Sequence, residues 1–499
     1  MPFEIRTGPR GPSPLWDGRQ LASAYDPARE ALAWAETRGT SGSLVFVAGD
    51  PLGLGAQALE ARGIRTAVLL PGAAARPYLP PGLTAWAPEE GDIEPFLQTV
   101  FDRWGPDAVS WEVWPAFERL APETALDWGL RFRDFYRTIQ GSWLTQKRFG
   151  RQFWRNSLRN YLDWNRRLHP TPGDRPVVIA ASGPSLDEGL GLLAQDRGAF
   201  DLWALPSSIE TLVRRGIRPD AAVATDGGYY AREHLQRLAG TSVPVLAALS
   251  SAADPVLSQR PCYFFSQGMP IERALLEARG GPVPEVPSQG TVAVTALRLA
   301  LEATRGPVLI AGLDLAFRDL RGHTSPHTVD RQIEARAGRL EPAEGLWAQR
   351  TLAQATVLQA GVRTSPALLT YAGWFRTRAR FSRPVYQIAP TAVRWDSMAE
   401  VSWDQARGLW RTPGSRPVTW TEGEGGTRES RRRDVEGALD RLGRRVTQSP
   451  EDDPWLLEAA QTAVPEAVEE AFRQRRRGQP GSVKDALVRY LGTVKEDLW

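Results

Sequence analysis

The chain has 499 residues, 42% of them hydrophobic and 24% charged, with a formal net charge of +3. That length accommodates roughly two or three domains with an ample core, and no apolar run reaches the roughly eighteen residues of a membrane span. Cys262 is the only cysteine, which excludes an intramolecular disulfide and a Cys-based metal site. The opening MPFEIRTGPRGPSPLW has no apolar stretch of the kind a secretory leader carries, so a cytoplasmic location is expected. The basic residues are spread along the chain and balanced by 58 acids, and all but Lys147, Lys484 and Lys495 are arginine. This is a compositional skew rather than a phosphate-binding patch, and no nucleic-acid partner is expected. The arginine runs at 431–433 and 475–477 are read as solvated helix faces.

In chain order, SLVFVAGDPLGLGAQALEARG (43–63) reads as strand, Gly-rich turn and helix, with further strands at TAVLLPG (66–72) and AVSWEVW (108–114). The GDPLGLG turn lacks the spacing of a dinucleotide loop, and Pro71-Gly72 stands where an acid should hold a ribose. Residues 1–122 are therefore read as a degenerate Rossmann-like domain with a structural or acceptor-binding role. A helix is expected from about Glu123 to Leu168, with a break near Gly141. The chain's three asparagines, Asn156, Asn160 and Asn165, all fall in this helix. Asn156 and Asn160 are four apart and share one helical face. They are expected to bond loop backbone or ligand beside the nucleotide turn.

PVVIAASGPSLDEG (176–189) carries the strongest signal. An apolar run fit for a central parallel strand leads into a Gly-Pro turn and a helix start. Gly183 permits close backbone approach. Ser185 is expected at the helix N-cap with Glu188 as its capping-box partner. A helix N-terminus at the carboxyl end of a strand offers free N–H groups to an anion, so Ser182, Gly183, Pro184 and Ser185 are candidates to cradle a phosphate. Further strands follow at 200–205, 220–228, 244–250, 262–266 and 306–317, alternating with helical patterns. This is a doubly wound α/β sheet, whose ligands bind outside the carboxyl ends of the strands. Asp226 and Asp314 fall on that rim. Asp220, at a strand start, is expected to be structural.

The segments SGPSLDE, RGIRPDAAVATDGG and QGTVAVTALRLALEATRGPVLIAGLDLAF, in this order and spacing, resemble the motility accessory factor (Maf) proteins, a family of flagellin glycosyltransferases. The same domain is named after the archaeal-type 6-hydroxymethylpterin diphosphokinase (MptE-like). The resemblance covers residues 150–400 well and extends weakly to ASAYDPAREA (22–31). The GPS turn also resembles the CMP-binding turn of certain bacterial sialyltransferases. Ser182 stands where the family often has Gly or Asn, and Gln289-Gly290 where it often has two glycines; the second departure bears on the donor more than on the fold.

The resemblance implies transfer of a nonulosonic (sialic-like) acid from a CMP-sugar to Ser or Thr of flagellin or a similar surface protein. The nucleotide-sugar donor and the acceptor protein are then the expected partners. Asp226 would hold the ribose, and the helix start at Gln289, Gly290 and Thr291 would hold the donor. One alternative is pyrophosphoryl transfer from ATP to 6-hydroxymethyl-dihydropterin, with Mg²⁺ on Asp226 and Asp314. Another is a non-catalytic, motility-associated binding scaffold. Of the four histidines, His323 and His327 lie in a polar loop after the Asp314 strand, and with Asp314 they are the catalytic candidates. No resident metal is expected for the glycosyl transfer.

After residue 410 the composition changes. Residues 411–430 read as a linker and 431–499 as a C-terminal helical domain. The expected layout is thus 1–122, a connecting helical segment 123–170, a central nucleotide-binding domain 171–410, the linker, and the helical domain.

Overall fold

Residues 3–8, 11–252, 260–280, 284–288, 290–353, 356–357, 362–377, 380–411 and 415–497 are described in a computed structural model. Contacts divide the chain into two units, Met1–Gly150 with Val446–Trp499, and Arg151–Arg445.

In the first unit, an antiparallel ribbon of β1 (Phe3–Gly8), β2 (Gly11–Trp16) and β3 (Arg19–Gln20) precedes a parallel sheet. That sheet holds β4 (Leu44–Ala48), β5 (Arg65–Leu69), β6 (Thr84–Trp86) and β7 (Val109–Val113) in the order β6-β5-β4-β7. Every residue of β4 is buried, as an apolar run covered on both faces should be. The Gly-rich turn after β4 is built for packing and capping. A Cβ on Gly49 would lie 2.2 Å from the Phe117 ring, and the buried Asp50 carboxylate accepts the Ala56 N–H at 3.0 Å. The helices Pro454–Ala463 and Pro465–Arg476 belong to this unit. Arg476, its side chain almost wholly enclosed, bonds the Trp104 carbonyl (2.7 Å) and the Asp107 carboxylate (2.7 Å).

The second unit is built on a ten-stranded sheet. Its strands are β8 (Arg166–Thr171), β9 (Val177–Ala180), β10 (Asp201–Ala204), β11 (Ala221–Ala224), β12 (Val245–Ala248), β13 (Cys262–Phe265) and β14 (Val308–Ala311). A two-stranded ribbon, β15 (Thr356–Val357) with β16 (Arg363–Thr364), stands apart. The main sheet is completed by β17 (Val385–Ala389), β18 (Ala399–Ser402) and β19 (Thr419–Glu424). Its order is β18-β17-β14-β9-β10-β11-β12-β13-β8-β19, parallel throughout except that β19 runs antiparallel to β8. Val177 of β9 is flanked by Val308 and Asp201, so the chain winds to one side through β10 and returns on the other through β14. The strand order reverses at the β9/β14 boundary, the position where doubly wound sheets open a ligand crevice.

Four expectations are corrected. The helix Pro122–Asp163 runs unbroken through Gly141, because one exposed glycine costs a long helix only about 1 kcal/mol. It stops at Asp163, and residues 166–171 pair with β19 instead. The stretch 411–430 is therefore not wholly a linker, since it supplies an edge strand. Each arginine run has one buried member: Arg431 donates to the carbonyls of Leu162 and Gly426 (2.6 Å each), and Arg476 is held as above. Asp220 does serve structure, accepting the Leu202 N–H at 2.8 Å and pairing with Arg197 at 2.6 Å.

Candidate functional site

The turn after β9 has no room for a side chain at Gly183. A Cβ on Gly183 would lie 2.3 Å from Asp314 Oδ2 and 2.5 Å from the Gly312 carbonyl. The Gly183 N–H donates to Gly312 O at 2.7 Å, and the Ser185 N–H donates to Asp314 Oδ2 at 2.8 Å. The other oxygen of Asp314 accepts the Ala392 N–H at 3.0 Å. The carboxylate thus joins the loops after β9, β14 and β17 and is only 2% exposed. The expected capping box is absent. Ser185 has helical dihedrals, its Oγ has no partner, and Glu188 pairs with Arg318. Asp314 supplies from across the crevice the acceptor that a cap would have supplied from within the helix.

Beside this turn, hydroxyls and imidazoles line up. Ser207 Oγ, after β10, donates to Ser182 Oγ at 2.7 Å, and Ser182 Oγ lies 3.2 Å from His323 Nδ1. The His327 ring stacks on His323 with centroids 4.3 Å apart and 14° between planes, and it meets His234 at 5.0 Å. His234 Nδ1 is 2.9 Å from Thr328 Oγ1. His327 Nδ1 accepts the Val329 N–H at 3.2 Å. In the neutral ring the proton therefore sits on Nε2, and that buried atom has no partner. His327 is not the surface histidine a polar loop suggests: it is 2% exposed.

Burial pushes all three imidazoles below their usual range, His234 and His323 to about 4 and His327 to about 2. Arg350 adds to the shift of His323, and the neighbouring rings and Arg350 add to that of His327. At neutral pH the rings are uncharged. Their lone pairs lie in the ring planes, so stacking keeps them from converging on one ion. No group of three or more His, Cys, Asp or Glu among the described residues has metal-holding geometry.

The remaining candidates are dispersed along the rim. Asp226, exposed at the end of β11, accepts the Gly228 N–H at 2.8 Å. Thr291 caps the helix Val292–Ala303 through the Ala293 N–H (3.3 Å), after Gly290 at φ +78°. Gln289 lies outside the described residues. Asn156 donates to the carbonyls of Gly227 (3.2 Å) and Ser250 (3.1 Å), and Asn160 to those of Leu249 (2.9 Å) and Ser251 (3.0 Å). The pair secures the loops after β11 and β12, not the 182–185 turn.

Residues 152–320 match the family model described as 6-hydroxymethylpterin diphosphokinase MptE-like. This segment is thus similar to MptE-like domains. An uncharacterised protein of Treponema pallidum (strain Nichols) is 28% identical over 243 residues, 48% of this chain and 50% of that protein. The chain thus spans about half the length of this curated relative. A solved Maf glycosyltransferase from Magnetospirillum magneticum AMB-1 shares the fold at TM-score 0.51 and 12% identity, over 100% of this chain and 86% of the other. The matched segment contains the Ser182 turn, Ser207, Asp226, His234 and Asp314, while His323 and His327 follow its boundary.

Sequence reasoning found Ser182, His323 and His327 but missed Ser207 and His234, which complete the row. Histidine scarcity was the available signal for His234, since three of only four histidines meet here. Ser207 carried no signal, being one of many serines at helix starts.

Proposed function

We propose that this chain is a cytoplasmic glycosyltransferase that moves a nonulosonic acid from a CMP-activated donor to a Ser or Thr hydroxyl of flagellin or a similar surface protein. The observation supporting this is coverage: the likeness to the Maf glycosyltransferase extends over both units, beyond the MptE-like segment alone. In the reaction the acceptor oxygen bonds to the sugar's anomeric carbon, the bond from that carbon to the phosphate oxygen breaks, and CMP departs with its electron pair. The acceptor hydroxyl loses one proton. The neutral His323 imidazole takes that proton, and the Ser182 hydroxyl fixes its ring. Asp226 faces solvent at the rim, where it can hold ribose hydroxyls. Asp314 acts by setting the three loops.

The description of residues 152–320 favours a second reading, pyrophosphoryl transfer from ATP. Its Mg²⁺ does not fit Asp314, one of the two residues proposed for it. Both Asp314 oxygens accept backbone N–H groups in an enclosed position, whereas Mg²⁺ usually keeps several waters.

The test is incubation of the purified chain with a CMP-nonulosonate and flagellin, following CMP release and the mass of the acceptor. Release with a matching mass gain is expected, and His323→Asn should slow it by about 10²-fold or more. A pyrophosphorylated pterin formed from ATP, with CMP-sugar untouched, would contradict the proposal. Because the rings titrate near 4 and below, the rate should be flat from about pH 6 to 8 and fall only in stronger acid.

A further inference from the structure

The imidazole row has an unsatisfied donor at its centre, and the charge that acts on its His323 and His327 rings is positive. His327 is 2% exposed, its Nδ1 is committed to Val329 N–H, and its Nε2–H has no acceptor. Leaving a buried donor unpaired is destabilising, and such groups in native proteins call for an unseen partner. Two further hydroxyls, Ser182 and Ser207, stand in line with the neighbouring ring. Arg350 is exposed and has no hydrogen-bond or ion-pair partner among the described residues. Its charge bears on both His323 and His327, and no carboxylate acts on either ring. Two neighbouring carboxylates are committed to other groups. Asp330 accepts from Ser325 Oγ (3.1 Å) and the His327 backbone N–H (2.8 Å), and Asp187 accepts from Thr324 and Ser325.

We propose that His327 Nε2–H, the Ser182 and Ser207 hydroxyls and Arg350 form a phosphoryl-binding subsite. It rests on the transferase reading and deepens it, by naming the groups that receive the donor's phosphate. The subsite displaces the phosphate from the 183–185 turn. There the helix N-terminus already faces the Asp314 carboxylate, which satisfies the Ser185 N–H and repels a second anion. At the imidazole row His327 Nε2–H points at no acceptor, and the charge acting on the His323 and His327 rings is positive. A neutral His327 that donates through Nε2 suits a phosphate leaving group, because it stabilises the departing oxygen while keeping its own proton.

The full chain, ¹⁵N-labelled at histidine, is titrated with inorganic phosphate, CMP, cytidine and acetate while the imidazole resonances are followed. Phosphate and CMP should each move the His327 and His323 signals saturably, and cytidine should not. Arg350→Gln, at an exposed position, should weaken phosphate binding about tenfold with its thermal midpoint unchanged. His327→Gln should do the same, with circular dichroism confirming that it folds. Unmoved imidazole signals with phosphate and CMP would overturn the subsite, as would acetate moving them as strongly as phosphate. Phosphate binding that persists in a chain unable to transfer sugar would remove the glycosyltransferase reading and leave the subsite standing. Sugar transfer with no phosphate response would do the reverse.

Discussion

Gly183 and Gly191 lie eight residues apart and pose opposite demands. A methyl group on Gly183 would collide with Asp314 and the Gly312 carbonyl, neither of which can yield without opening three loops. Gly183→Ala should cost about 2–4 kcal/mol and lower the thermal midpoint. Gly191, on the helix Leu186–Gln195, has nothing within 4 Å of its missing Cβ, so Gly191→Ala should stabilise by about 0.5–1 kcal/mol. Equal effects of the two changes in a denaturation series would contradict the packing described around the turn. In the other unit, burial raises the Asp50 carboxyl from 3.8 to about 6. The folded state therefore binds the proton more tightly than the unfolded one. Stability falls as pH rises through roughly 4 to 6 and stays lower above that window. Asp50→Asn keeps an acceptor for Ala56 and should stabilise at pH 8 by up to about 3 kcal/mol, with no gain at pH 4. A gain that does not change with pH would show that Asp50 is not the titrating group.

Among the elements, most strands of the main sheet that sequence made legible share one property: both faces are covered. β9, β10, β11, β12 and β14 are fully buried parallel strands, and a continuous apolar run announces such a strand without alternation. The strands that escaped notice include the interior β17 and two polar strands at one end of the sheet. β8 reads RRLHPT and β19 reads TWTEGE, polar and half-exposed, held by their pairing with each other rather than by any pattern of their own. The long helix was visible, but its end was not, because the residues that follow it are recruited by a strand some 250 positions away. Its asparagines were visible through rarity alone. Their partners, four loop carbonyls after β11 and β12, depend on tertiary contact that no local signal encodes. Asn160→Ala would strand the carbonyls of Leu249 and Ser251, so it should cost about 1–3 kcal/mol. It should also speed amide hydrogen exchange selectively in the loop after β12. Uniform exchange across the molecule would contradict the local role.

For the whole molecule, the doubly wound sheet and the rim that carries its candidate residues followed from alternating strand and helix patterns. The division into units did not. The C-terminal helices group with the N-terminal α/β sheet across more than 300 residues of sequence, through contacts such as Arg476 with Asp107. The site was half legible: Ser182, His323 and His327 stand out as rare or motif-bound residues, while Ser207 and His234 join them only through the winding of the sheet. The asymmetry is physical, since strand order is set by hydrophobic pattern but proximity on the rim is set by which loops the winding brings together.

The account turns on a nucleotide site at that rim. The most direct measurement is the thermal midpoint of the purified chain with CMP, CDP, UDP and ATP, each with and without Mg²⁺. A ligand at about a hundred times its dissociation constant should add roughly 2.7 kcal/mol. The account predicts a metal-independent rise with CMP that is lost in Asp226→Ala. A rise only with ATP and Mg²⁺, or none with any nucleotide, would contradict it, the first in favour of pyrophosphoryl transfer and the second in favour of a binding scaffold.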